Sequence, residues 1–274
     1  MTVSPFTPLF FNLPKADGIE SDYIQTFAPT DRILLEVICS SKEPPLAELR
    51  DIQSDTAQAI TLSIWQINTG VYLHFAELMP PVGIYRVRIE DIGSCALFKV
   101  TDDPVELDNT TLIQYSMKNN RQRTDAVFFI DRMQYFFDWR VPGGFKDSNW
   151  TFGVESEQFV TAHSDISQLF GLESTQKRFT LGGSMGVPVW FGEMLNRILV
   201  CSHVYFDGVK YTRKEANVPE LTVQLDGVNS FVFNQTLQQS VNLDPVIEER
   251  NRLIMRRTGT TDYRQITTGI NRKI

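Results

Sequence analysis

The run Gly182-Gly183-Ser184-Met185-Gly186 has the G-x-S-x-G spacing of a nucleophile elbow, the sharp strand-to-helix turn that holds a serine hydroxyl exposed for acyl transfer. It follows a short apolar run and precedes a helical pattern, so Ser184 is the residue on which a hydrolase reading would rest. Such enzymes place an acid and then a histidine after the serine, each on its own strand-end loop. Here only His203 follows, 19 residues on, and a helix and the start of a hairpin fill the interval. The alternating β/α pattern of a parallel sheet is also missing, so the glycines read better as a close-packing connection.

Other chemistry finds less support. His74, His163 and His203 are isolated from one another and from cysteine, and Cys39, Cys95 and Cys201 form no paired motif, so neither a metal site nor a disulfide framework is expected. Asp102, Asp103, Glu106 and Asp108 lack the glycine and bidentate glutamate of a calcium loop and read as solvated turn acids. No phosphate-binding glycine loop precedes a helix. The expectation is therefore no enzyme, no cofactor and no metal. Trp65, Trp139 and Trp190 lie within apolar runs and read as core, whereas Trp150 follows the polar stretch Lys146 to Asn149 and is the tryptophan expected to be exposed. With Arg121 and Arg123 of the charged loop Lys118 to Asp125, it marks a possible partner or glycan contact.

Charge is unevenly distributed. The last 27 residues carry seven basic side chains against three acids, and because the chain sums to −7, the preceding 247 residues hold −11. An acidic body thus bears a basic C-terminal arm with too few apolar residues to bury itself. Another copy of the same chain would supply the opposite field, which makes Arg250, Arg252, Arg256 and Arg257 the proposed inter-subunit contacts. The acidic body argues against nonspecific nucleic-acid binding by the main fold, and no sequence-specific nucleic acid is expected as a partner. No signal peptide and no run of about 18 apolar residues are evident, so no membrane association is expected.

The elements that hold these residues are mainly strands. Asp31–Ser40, Thr61–Ile67, Val71–Leu78, Ile84–Glu90 and Ala96–Thr101 have apolar or period-two patterns separated by Pro/Gly turns. They fit an immunoglobulin-like sandwich over residues 20–105, after an N-terminal extension at 1–19, with Tyr85 as candidate for the tyrosine corner. The stretch 41–55 reads as a polar connection. A second β-rich domain is expected over 106–243, with strands at Leu112–Met117, Ala126–Ile130, Tyr135–Val141, Arg178–Leu181, Leu221–Leu225 and Phe231–Phe233. Pro142-Gly143-Gly144 reads as a turn. Val187, Trp190, Phe191, Met194, Leu195, Ile198 and Leu199 recur at helical spacing and predict a helix near 187–200. Asp207-Gly208 between Val204–Phe206 and Val209–Tyr211 predicts a type I′ hairpin. Residues 244–274 are the arm, with a short helix expected over Val246–Arg257.

Taken in order, FAPTDRILLEV, GIYRVRIED with FKVTDD, LIQYSMKNN, the FFDWRVPGGF run and GVPVWFGEMLNRILVCSHVYFDGVKYTR resemble a family of structural tail proteins of Bacteroidetes phages and prophages. The likeness spans most of Phe27 to Arg213. In crAss-like phages such chains resemble tail ring or baseplate components. The resemblance implies a virion protein assembled in the host cytoplasm, forming a ring homo-oligomer around the DNA channel beside neighbouring tail or portal-proximal proteins. It carries over no functional residue. A glycan- or receptor-binding module is the alternative expectation, and a hydrolase using Ser184 the second.

Overall fold

The structure, a computed structural model, describes residues 1–11, 23–116, 129–130, 133–134, 136–160, 166–184, 186–214, 220–225, 230–240, 256–257, 263–267 and 270–273. The chain falls into two units: Met1–Trp150 with Gln176–Gln238, and Thr151–Thr175 with Gln239–Ile274. The sandwich and the barrel described below share buried contacts and lie in one unit.

The first unit opens with β1 (Thr2–Val3), β2 (Gln25–Phe27), β3 (Ile33–Cys39), β4 (Ala47–Asp51), β5 (Ala57–Ala59), β6 (Ser63–Asn68), β7 (Val71–Leu78), β8 (Gly83–Ile89), β9 (Gly93–Ser94) and β10 (Phe98–Val100). One sheet runs β1-β3-β7-β6 and the other β2-β10-β8-β4-β5, with β9 on β8. Lettered in chain order these are the A-B-E-D and A′-G-F-C-C′ sheets of an immunoglobulin-like sandwich, as the turn spacing predicts. In β8, Tyr85, Val87 and Ile89 are buried while Arg86 and Arg88 are exposed, so period-two patterning sets its inner face. Tyr85 occupies the F strand, its ring 5.9 Å from Phe98 and packed over Gly83, where a Cβ would come within 2.8 Å of the hydroxyl. Among the described residues no backbone bond from that hydroxyl completes a tyrosine corner. The stretch expected to be a polar connection contains β4, whose only fully buried side chain is Ala47, so little apolar patterning marks it.

The remainder comprises α1 (Pro104–Leu107), β11 (Thr110–Ser116), β12 (Phe129–Ile130), β13 (Met133–Gln134), β14 (Phe137–Val160), β15 (Ile166–Leu181), α2 (Val189–Ile198), β16 (His203–Phe206), β17 (Val209–Arg213), β18 (Glu220–Leu225) and β19 (Ser230–Gln239). The strand order β15-β14-β11-β16-β17-β19, with β15 also paired to β19, closes a six-stranded barrel, and β18 adds to β19. Its core holds Ile113, Tyr115, Phe137, Trp139, Phe179, Phe206 and Leu237, against which α2 buries Phe191, Met194, Leu195 and Ile198. Pro188 is the helix N-cap. The hairpin forms as predicted, with Asp207 and Gly208 both at positive φ.

Pro142-Gly143-Gly144 is not a turn. It lies within β14, at the point where that strand leaves β11, since Thr110↔Pro142 ends their ladder. Gly143 has φ +118°, and a Cβ there would meet the Thr180 carbonyl, so glycine lets β14 and β15 approach. Nor is residues 1–11 a loose extension. β1 pairs with β3, and Phe6 is fully buried in the barrel-side core, its carbonyl accepting from the Tyr115 hydroxyl.

Strand β3 explains how sandwich and barrel join. Ile33, Leu35 and Val37 enter the sandwich core, whereas Leu34 joins the barrel-side cluster, so the run is covered on both faces. Beside it Asp31 accepts from Arg140 Nε at 2.7 Å and Nη2 at 2.9 Å, and from the Ala28 amide at 2.7 Å. Asp138 accepts from the Arg32 amide at 3.0 Å and from Gln114 at 2.9 Å. Arg140 is held above its ordinary pKa: burial opposes the charge, but the Asp31 bond and neighbouring carboxylates outweigh it. Glu36, 2% exposed on the barrel side of β3, is pushed up to about 8 by burial, with a Ser4 hydrogen bond pulling weakly the other way.

Two outcomes follow. Arg140→Met leaves Asp31 buried without its cation and should cost about 3–5 kcal/mol in urea unfolding; a loss under 1 kcal/mol would remove the pair from the account. The Glu36 pKa is raised on folding, so stability is greatest below its unfolded value near 4.5 and falls as pH rises towards 8. Glu36→Gln should flatten that fall, which has a slope on the order of 1 kcal/mol per pH unit, as read by urea midpoints from pH 5 to 8.

Candidate interaction surface

Beyond Pro142, β14 continues for 18 residues without a β11 partner and pairs with β15. Neighbouring atoms fix the pairing: a Cβ on Gly153 would meet Ser174 Oγ at 2.9 Å, and Lys177 Nζ lies 3.8 Å from the Trp150 ring centroid. The positions advance on one strand as they recede on the other, so the pair is an antiparallel ribbon. Its outer part, Thr151–Thr175, belongs to the second unit. Phe152 is 73% exposed, Val154 66%, Val160 59%, Phe159 57% and Ile166 67%. By strand alternation Phe152, Val154 and Val160 share one face with Trp150, and Phe159 falls on the other. Two-stranded ribbons are marginal alone in water, and apolar groups on both faces make this one a surface in want of cover.

The second unit also holds β20 (Arg256–Arg257), β21 (Tyr263–Thr267) and β22 (Ile270–Lys273), which form a three-stranded antiparallel sheet. Arg256 pairs with Gln265 and Arg257 with Arg264. The helix expected over Val246–Arg257 is corrected at its end, where Arg256–Arg257 is strand, and the rest of that span lies outside the described residues. Arg250, Arg252, Arg121 and Arg123 also lie outside them.

Trp150 is exposed, at 42%, but Lys177 lies over its ring. The same ammonium is 5.9 Å from the Phe145 centroid and 5.8 Å from that of Tyr211, so three rings share one cation. The stacking face that a sugar would use is partly taken by the protein's own lysine. On the outer face of the sandwich, Arg50 lies opposite Arg86 and Arg88 opposite Glu48, but Arg50 bonds Asp55 at 2.5 Å and Arg88 is 3.8 Å from Glu48, which limits the positive field there.

The elbow motif is structural in its geometry. Gly182, Gly183 and Gly186 all have positive φ, and a Cβ on Gly182 or Gly186 would strike Phe231 or Ser230 of β19, to which Val187 is bridged. Gly183 sits beside Pro142, level with Thr110, whereas His203 pairs with Ser116 at the other end of β11. Six strand residues separate those levels, roughly 20 Å. Ser184 and His203 therefore form no dyad. His163 lies outside the described residues, and His74 is fully buried with Nε2 3.1 Å from the Ser41 carbonyl. Among the described residues no three His, Cys, Asp or Glu side chains come together to hold a metal. Asp103 instead caps α1 through the Val105 amide, and Glu106 pairs with Lys99.

No family model, no curated protein and no solved structure matches the chain.

The ribbon was readable as Trp150, Phe152 and Val154 at period two, but the polar residues between them and the expected turn at Pro142 obscured it. Removing the ring from beneath Lys177, as Trp150→Ala, should destabilise the fold by about 0.5–1 kcal/mol beyond the loss from buried area. A double-mutant cycle with Lys177→Met measures it, and zero coupling would dismiss the contact.

Proposed function

We propose that this chain is a non-enzymatic structural component of a phage virion, present in several copies as a tail ring or adaptor around the DNA channel. The observation that carries the reading is the ribbon, with Phe152, Val154, Phe159, Val160 and Ile166 each more than half exposed. A protein that works alone in water gains nothing from apolar groups held out on a two-stranded extension, and such an extension invites aggregation. A subunit of an assembly has them covered by its neighbours. The resemblance of Phe27 to Arg213 to phage tail proteins points the same way. So does the −11 charge of the 247 residues before Glu248, since a wall around DNA should repel phosphates rather than trap them. Its partners would be further copies of itself and neighbouring tail or portal-proximal proteins, met in the host cytoplasm and retained in the virion.

The test is expression of the full chain, alone and together with the products of its neighbouring genes, followed by sedimentation and electron microscopy of the product. Closed rings, or incorporation into tail particles at a fixed copy number, are expected. A chain that stays monomeric and apart from every particle fraction overturns the reading.

A further inference from the structure

We infer that the outer face of the sandwich carries a small-anion site, centred on Arg86, that takes a phosphate group. The site is built from β4, β8, β9 and the β4–β5 turn, and it stands apart from the assembly reading above.

Strand register places the cations. Arg50 of β4 lies directly opposite Arg86 of β8, and Arg88 follows two residues on, on the same face. With Glu48, Ile52, Asp55 and Ser94 they line a cleft of about 300 Å³, ample for one tetrahedral oxyanion. Ala57 and Ala59 of β5 stand opposite Arg50 and Glu48, so small side chains keep that flank of the face low.

The cations are not all answered within the chain. Like charges directly opposite on a sheet are destabilising, and Arg50 faces Arg86. Arg50 is met by Asp55, and Arg88 lies 3.8 Å from Glu48. Arg86 has no hydrogen bond or ion pair among the described residues. The next cation on this face, Lys99 opposite Ile84, is bonded to Glu106. Three arginines against two carboxylates leave the cleft at +1, and the unmatched charge is the one between its neighbours.

Asp55 indicates the class of ligand. Its Oδ1 accepts from both Arg50 Nε at 3.0 Å and Nη2 at 2.5 Å. The side chain is nonetheless 77% exposed, on a turn residue at φ +54°, where it can swing outwards. A free carboxylate gains little by replacing it, because Asp55 is tethered beside its partner at high effective concentration. A phosphate dianion gains more, since its oxygens can accept from the Arg50 and Arg86 forks together, and its double charge answers both. The positive charge is local, on a body that is negative overall, which suits a small dianion rather than a polyanion.

The experiment is isothermal titration of the full chain, in a buffer free of phosphate, with inorganic phosphate and with glucose 6-phosphate. Binding at about 1 mM or tighter is expected. Arg86→Gln, at an exposed position, should weaken it at least about tenfold, whereas Lys42→Gln, the same loss of charge elsewhere on the sandwich, should leave it unchanged. Without phosphate, Arg86→Gln should unfold at the wild-type temperature or higher, because it removes the repulsion from Arg50; a structural arginine would behave oppositely. Tighter binding of the ester assigns the site to a phosphorylated small molecule, and equal or tighter binding of inorganic phosphate assigns it to the free ion. No binding of either, acetate binding as tightly as phosphate, or an equal effect of Arg86→Gln and Lys42→Gln overturns the inference. So does a clear loss of stability in Arg86→Gln without phosphate.

Discussion

The buried pair Asp31–Arg140 fixes the seam between the sandwich and the barrel. The carboxylate sits between β2 and β3 of the sandwich, the guanidinium on β14 of the barrel, and two charged hydrogen bonds of 2.7 and 2.9 Å cross between them. A buried ion pair adds little over a well-packed apolar contact, but it does not tolerate displacement, because each charge needs the other in register. The pair therefore fixes orientation. Asp138 repeats the device two residues along β14 by accepting from the Arg32 amide, so the same strand grips the sandwich at two successive positions on the face away from the barrel core. Because β14 goes on to form the ribbon, the setting of the sandwich and the root of the extension are specified by one strand.

Parts of this were legible in the chain. The alternation of Tyr85, Val87 and Ile89 against Arg86 and Arg88 is a one-sided strand, and it is buried on the side the pattern predicts. Asp207-Gly208 needs positive φ twice and takes it twice. The helix was visible because Phe191, Met194, Leu195 and Ile198 are all needed on one face. Local chemistry decided these elements, so local reading found them.

What was missed depended on distant partners. Pro142-Gly143-Gly144 has turn composition, yet its glycine is required by a strand nearly 40 positions later, whose Thr180 carbonyl lies where a side chain would be. β4 carries almost no apolar signal because its neighbours β8 and β5 supply its context. The seam was equally hidden: Asp31 and Arg140 are 109 residues apart, and Glu36 inside an apolar run gives no sign that its face of the strand meets a second core. The elbow motif was read as a close-packing connection, and Gly182 and Gly186 do answer to the backbone of β19.

The placement of β19 has a mechanical consequence. It pairs with both β17 and β15, and the arm is simply its continuation past Gln239. Tension applied in line with β19 would act along these ladders and load their bonds in shear, all at once, instead of peeling them apart singly.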